Sequence, residues 1–144
     1  MRRGMLVEAM LYLLLSRLAL KLLSFRRLVW LLERRPSEPE VTGTRRVRLR
    51  QEVGWAIATA ARYLPGETVC FPQAIAAQAM LRRRRVGTTL YYGAARLPDR
   101  GLTTHAWVQD GAEGVVGHRN ADKYYVLARY PEAGSLALGR GEKL

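Results

Sequence analysis

The chain has 144 residues, of which 49% are hydrophobic and 25% are charged. These values are ordinary for one globular domain and argue against disorder. The 24 lysines and arginines outnumber the 12 acidic residues and give a net charge of +12. Such a charge attracts nucleic acid, anionic membranes or acidic peptides, without deciding among them. We expect the arginines clustered within residues 45–50 and 82–85 to form mainly solvated faces.

A single cysteine, Cys70, excludes an internal disulfide, and the only histidines are His105 and His118. This set is too small for a zinc cluster of the Cys/His type, so we predict neither a metal nor a cofactor. The cysteine usage favours an intracellular, cytoplasmic protein.

The N-terminal region is strongly apolar, but Glu8, Arg17 and Lys21 interrupt it. No small-residue cleavage site follows, so a buried or interfacial helix is a better interpretation than a signal peptide or a membrane span. Attachment of this helix and its arginines to a membrane surface is an alternative that we do not favour. Residues 5–33 lack Pro and Gly, which predicts one long helix or two helices broken at Ser24. Their polar residues form no clean stripe, so another surface must cover much of this helix.

The proline-bearing segment 36–43 is predicted to be a linker after an N-terminal extension, residues 1–35. A second helix is expected over residues 44–63 and a third from Cys70 to about Arg85, with Pro72 near its first turn. Strand character follows in residues 88–92, 103–108, 115–116 and 124–127, with a hairpin turn near Asp110. Helices followed by strands predict an α+β domain, with an antiparallel sheet against the cysteine-bearing helix.

Cys70 stands at the start of the third helix. Unpaired backbone N–H groups and the positive end of the helix dipole favour the thiolate at this position, and the thiolate is the nucleophilic form of cysteine. The alternative is a buried, inert cysteine that acts as a small hydrophobic residue. The sequence context therefore makes Cys70 a candidate nucleophile.

His105 lies in a predicted strand, where sheet neighbours can hold its ring rigid enough to act as a base. Trp107, two residues later, faces the same side of the strand and can shield the imidazole. A third group commonly orients such a histidine. A hairpin turning near Asp110 places residues 118–120 opposite His105, which makes His118 and Asn120 the candidates, with Asp122 the nearest downstream carboxylate.

Several blocks of the sequence resemble the leader peptidase of lasso-peptide biosynthesis, the catalytic half of the split B protein. This enzyme is a cysteine protease with a transglutaminase-like or papain-like core. The blocks run in the family's order along nearly the whole chain: Cys70-Phe71-Pro72-Gln73-Ala74-Ile75-Ala76, Met80-Leu81-Arg82-Arg83-Arg84, Leu90-Tyr91-Tyr92-Gly93, His105-Ala106-Trp107-Val108 and Tyr125-Val126-Leu127-Ala128.

The resemblance implies that residues 44–144 form the peptidase core and that Cys70, His105 and an acidic residue form a triad. Where relatives often carry the acid, this chain has His118, so the third member stays open among His118, Asn120 and Asp122, or is missing. The implied partners are a lasso precursor peptide, a separate leader-recognition protein and a separate cyclase.

Two other classes of function remain open. The net charge is also compatible with a basic nucleic-acid-binding module, although the tyrosines form no recognised motif for stacking bases. A catalytically inactive scaffold that keeps the fold is the other alternative. We predict a cysteine peptidase that does not bind nucleic acid.

Overall fold

The computed structural model describes residues 2–64, 70–119 and 121–131. Helices come first and strands second, as the sequence predicts for an α+β domain. The elements are α1 Arg2–Leu22, α2 Phe25–Leu32, α3 Gly43–Tyr63, α4 Cys70–Arg83, β1 Thr89–Leu97, β2 Gly101–Asp110, β3 Glu113–Val116, a single 3₁₀ turn Ala121–Lys123, and β4 Tyr125–Tyr130.

The break predicted at Ser24 is confirmed. Its backbone is extended, and its side-chain oxygen accepts a hydrogen bond from the Arg27 N–H, so it caps the N-terminus of α2. No helix in the described ranges is long and apolar enough to cross a membrane.

The end of α4 lies two residues earlier than predicted. Arg85 adopts a left-handed backbone conformation with φ of 63°, and the Val86 N–H donates back to the Leu81 carbonyl. This closure satisfies a carbonyl that the helix leaves unpaired and turns the chain towards β1. Helix formers such as Arg84 and Arg85 gave no sequence signal for the stop, since glycine usually occupies the left-handed position.

The four strands form one antiparallel sheet in the order β3-β2-β1-β4. The predicted hairpin joins β2 to β3 through a turn in which Gly111 has φ of +64°. The strands β1 and β2 are longer than predicted and pair over their full facing length, from Thr89↔Gln109 to Leu97↔Gly101. The last strand pairs with β1, so the β2–β1 pair lies at the centre of the sheet.

The two faces of the sheet differ because side chains alternate along each strand. Leu90, Ala106 and Val108 belong to the buried core that α4 shares. Trp107 stacks on Tyr91 on the opposite face, at a centroid distance of 5.6 Å. Helix α4 therefore covers one face, and an aromatic layer covers the other.

Helix α1 belongs to the same hydrophobic core. It packs against α3 and α4, and its Ala9 and Leu13 are fully buried there, as is Leu32 of α2. The division into an extension at residues 1–35, a linker at 36–43 and a core at 44–144 remains a prediction. The observed packing shows that the first two helices share their buried side chains with the predicted core.

The expectation that the arginine clusters are solvated is wrong for several members. Arg46 and Arg50 both pair with Asp110 at 2.9 Å. At the end of α4, Arg84 pairs with Glu8 of α1, and Arg83 pairs with the same carboxylate but stays exposed, as expected. Sequence spacing could not indicate these pairs, because the partners lie 60 to 76 residues apart.

The Asp110 carboxylate ties α3 to the end of β2. Its side chain is only 10% exposed. Burial alone would raise the pKa of Asp110, but hydrogen bonds from Arg46 and Arg50 outweigh burial, so the pKa lies below its ordinary value. Asp110 therefore has a structural role in addition to its place beside the hairpin turn.

We predict that Asp110→Asn lowers the free energy of unfolding by about 2 kcal/mol at pH 7, because it weakens two charge-assisted contacts. A carboxyl with a lowered folded-state pKa stabilises the fold above its unfolded pKa of about 4, and this contribution is lost as the pH falls through the folded value. The difference between wild type and variant, measured by urea unfolding, should therefore shrink below pH 4.

The matched control is Asp99→Asn, which changes an exposed carboxylate in the β1–β2 turn. It should leave the unfolding free energy nearly unchanged. An Asp110→Asn effect that is as large at pH 3 as at pH 7 would show that charge pairing is not its cause.

Candidate active site

Cys70 is the first residue of α4 and is half-buried. Its Sγ accepts a hydrogen bond from the backbone N–H of Ala106 in β2, at 3.3 Å. Next along the helix, the Phe71 ring stacks on Tyr92 of β1 at a centroid distance of 5.5 Å. These two contacts fix the start of α4 on the centre of the sheet.

The Ala106 N–H donates to Sγ at a level of the sheet that β3 does not reach. The pairing of β2 with β3 ends at Val108↔Val116, so β3 does not extend along β2 as far as Ala106. Two covalent bonds separate the Ala106 nitrogen from the Cα of His105, which places that Cα within about 6 Å of Sγ. The fold thus brings the backbone of His105 next to the candidate nucleophile.

The imidazole of His105 is held on the aromatic side of the sheet. Its Nε2 lies 2.6 Å from the carbonyl oxygen of Gly117. Trp107 lies against the ring at a centroid distance of 5.7 Å, and Tyr124 at 5.1 Å. No hydrogen bond joins the imidazole to Cys70 Sγ in the described structure, so the structure brings the two residues together through the backbone of β2 and not through a thiol–imidazole contact.

Hydrogen-bond chemistry assigns the roles of the two ring nitrogens. A carbonyl oxygen can only accept, so Nε2 carries the proton in its contact with Gly117. In the neutral ring this leaves the lone pair on Nδ1. Nδ1 is therefore the nitrogen available to take a proton.

Gly117 is suited to its position by its lack of a side chain. Its φ is +71°, which L-residues rarely adopt, and a Cβ would lie 2.8 Å from the Ala106 carbonyl oxygen and 3.2 Å from the Trp107 Cβ. This close approach lets the chain after β3 present its carbonyl to His105. Gly117 is not among the site residues predicted from the sequence, although a glycine directly after the apolar end of β3 is a visible signal.

The predicted candidates for a third catalytic residue do not contact the His105 ring where the structure describes them. His118 is exposed, and its ring lies over Gly114. Asp122 is exposed within the 3₁₀ turn. Asn120 lies outside the described residues. The predicted cross-strand placement opposite His105 requires a longer β3, and β3 ends before His118.

The arrangement favours acyl transfer by a thiol. A sulfur at a helix start and an imidazole in the adjoining strand are the two groups that a cysteine nucleophile requires. Within the described part of the chain, no group of three or more His, Cys, Asp or Glu residues could hold a metal ion. The roles of Cys70 as nucleophile and His105 as base remain predictions.

Comparison with known protein families identifies the family of this chain. The family model described as the transglutaminase-like superfamily matches residues 10–129, which include Cys70, His105, Gly117 and the strands around them. No curated protein matches the chain significantly, and neither does any solved structure. Since the family model covers most of the sequence and the helix-on-sheet architecture agrees with it, the chain belongs to the transglutaminase-like superfamily.

Proposed function

We propose that this protein is a cysteine peptidase that removes the leader from a lasso-peptide precursor. The observation that carries the proposal is a hydrogen bond. Cys70 lies at the start of α4, and its Sγ accepts from the backbone of β2, the strand that bears His105. Membership of the transglutaminase-like superfamily supports cysteine protease-type activity. The choice of a lasso precursor as substrate rests on the sequence blocks around Cys70 and His105.

In the proposed reaction, His105 Nδ1 takes the thiol proton and Cys70 Sγ attacks the carbonyl carbon at the leader–core junction. The Cys70 backbone N–H at the helix start stabilises the oxyanion. Collapse of this intermediate breaks the C–N bond, and the His105 proton passes to the leaving amine of the core peptide. Water then hydrolyses the thioester, which releases the leader as a carboxylate and restores the thiol.

Gly117 takes the orienting role in this mechanism. Its carbonyl holds the Nε2 proton, and the rings of Trp107 and Tyr124 restrict the imidazole. A backbone carbonyl provides less electrostatic stabilisation for the imidazolium than a carboxylate would, because it carries no net charge. Because the Gly117 carbonyl already holds the Nε2 proton, the proposal requires none of His118, Asn120 or Asp122.

The proposal includes a separate leader-recognition protein and a cyclase that uses the freed core amine. Helix α1 presents a row of exposed apolar side chains with the four- and three-residue spacing of one helix face: Val7, Leu11, Leu14, Leu18 and Leu22. Such a row suits docking on another protein. We place the leader-recognition protein on this surface.

The nucleic-acid alternative has less support in the structure. Arg46, Arg50 and Arg84 bind carboxylates of the same chain, so these cations are already partnered within the protein. These members of the arginine clusters are thus engaged within the protein, although the pairs leave the net charge of +12 unchanged. We retain the peptidase as the only proposed function.

We predict that Cys70→Ala lowers the rate of precursor cleavage at least about a thousandfold, because no other cysteine can replace the nucleophile. His105→Ala should lower it at least about a hundredfold, the scale of one general base. Cleavage is measured by mass spectrometry with the leader-recognition protein present.

His118→Ala and Asp122→Asn are the matched controls for the orienting role, and both should cleave at close to the wild-type rate. Full cleavage by Cys70→Ala would overturn the proposed function. Loss of cleavage in Asp122→Asn, with the fold intact, would instead give the orienting role to that carboxylate.

We predict that the double substitution Leu11→Glu, Leu18→Glu abolishes co-purification with the leader-recognition protein, because it places two charges in the exposed row of α1. Leu102→Glu is the control, since Leu102 is a leucine on β2 that is more exposed than either Leu11 or Leu18. Deleting α1 would be a poor test, because Ala9 and Leu13 lie in the core. Retained co-purification by the double variant would exclude this surface as the docking site.

A further inference from the structure

A small cavity lies at the end of α4 that is remote from Cys70. Its volume is about 190 Å³, and it lies between the segment Arg34 to Pro36 and the start of β1. Gln78 at its wall is eight residues from Cys70, which corresponds to about 12 Å along the helix axis. The cavity is therefore separate from the candidate active site.

Three buried polar atoms at this cavity have no hydrogen-bond partner among the described residues. They are Gln78 Oε1, Arg82 Nη1 and Thr88 Oγ1, each on a side chain that lines the cavity. Gln78 is 2% exposed and Thr88 is 8% exposed. Buried polar groups in folded proteins are almost always bonded, so three such atoms around one cavity point to a ligand that bonds them.

The hydrogen bonds that these side chains do make define what the ligand must offer. Gln78 Nε2 donates to the Tyr130 carbonyl oxygen at 2.8 Å, so the amide is fixed with Oε1 as a free acceptor. Arg82 offers a guanidinium donor, and the Thr88 hydroxyl can either donate or accept a hydrogen bond. The complementary ligand carries both an anionic acceptor and an N–H or O–H donor.

The charge at the cavity is positive. Arg34, Arg35 and Arg82 line it together with one carboxylate, Glu40. That carboxylate is already bound to Arg46 and to the backbone N–H of Gly87. The pKa of Arg82 is lowered, chiefly by burial and further by the neighbouring Arg34 cation, in keeping with an incompletely compensated charge.

A larger, apolar cavity adjoins the first. Its volume is about 500 Å³, and it shares Arg34, Pro36 and Arg82 with the smaller one. Its further walls are mostly apolar and come from α1, α2 and α4: Leu15, Ala19, Leu31, Ile75 and Ala79. A ligand that spans both cavities would place an apolar group beside an anionic one.

We propose that these two cavities bind an acidic residue of an extended peptide together with its apolar neighbour. The carboxylate pairs with Arg82, and a peptide N–H donates to Gln78 Oε1. The apolar side chain enters the larger cavity. If the chain acts as the proposed peptidase, this peptide is part of the precursor leader, held away from the bond that Cys70 attacks.

A free inorganic phosphate is the competing ligand for such a cationic cavity. The dianion can offer its single O–H to Gln78 Oε1, but it has no group for the apolar cavity. A peptide meets both requirements, because each residue brings a backbone N–H and a side chain. The peptide is therefore the ligand that the two cavities favour.

The test uses ¹⁵N-labelled Cys70→Ala protein, so that cleavage cannot consume the probe. The probe is acetyl-Ala-Leu-Glu-Ala-amide, and its control is the same peptide with Gln in place of Glu. We expect saturable shifts of the Gln78 side-chain amide and the Arg82 Nε–H signals with the acidic peptide. The Gln peptide should bind at least about tenfold more weakly, the scale of one charge-assisted hydrogen bond.

Two variants test the residues. Arg82→Gln should lower the affinity for the acidic peptide at least about tenfold. Arg96→Gln, which removes an exposed arginine of β1, should leave that affinity unchanged. If Arg82→Gln does not fold, Thr88→Val is the second variant, because it removes another of the three unpaired polar atoms.

Equal weakening by Arg82→Gln and Arg96→Gln would show non-specific charge attraction and overturn the proposal. So would tighter binding of inorganic phosphate to the same signals, or the absence of saturable shifts. These outcomes are independent of catalysis. A peptide that binds here while Cys70→Ala still cleaves precursor would overturn the proposed function alone.

Discussion

The candidate active site depends on the contact between the first residue of α4 and β2. The Ala106 N–H donates to Cys70 Sγ because β3 has already ended at that level of the sheet. Had β3 continued along β2, its backbone would have competed for the space that the helix start now occupies. The point at which β3 ends is therefore part of what positions the site.

Small residues make this contact possible. Ala74 and Ala77, fully buried on α4, let the helix approach neighbouring elements more closely than longer side chains would. Ala106 on β2 is also small and almost fully buried. Close packing of this kind fixes the helix start relative to the strand and so limits the positions that the sulfur can take.

Orientation of His105 is achieved without a carboxylate in the described structure. Glycines allow the groups around the ring to come close: Gly117 brings its carbonyl to Nε2, and Gly93 leaves room for Trp107 and Tyr124. A Cβ at Gly93 would lie 3.1 Å from the Tyr124 Cβ and 3.2 Å from the Trp107 ring. The resemblance to lasso leader peptidases implied an acidic residue here, and backbone geometry offers an alternative to it.

Local signals in the sequence predicted the features that depend on nearby residues. The break at Ser24, the start of α4 at Cys70 and the hairpin near Gly111 follow from local helix-breaking, first-turn proline and turn preferences. Features that depend on distant residues were missed. Neither the Asp110 pairs with Arg46 and Arg50 nor the Gly117 contact could be derived from spacing, because each joins elements whose relative placement only the fold determines.

The central claim is that His105 acts on the Cys70 thiol. Since Cys70 is the only cysteine, its alkylation by iodoacetamide reports this one sulfur. At neutral pH we expect the rate in His105→Ala to fall at least about tenfold below wild type, because the imidazole no longer takes the thiol proton, while His118→Ala keeps the wild-type rate. Equal alkylation rates in wild type and His105→Ala would contradict the account.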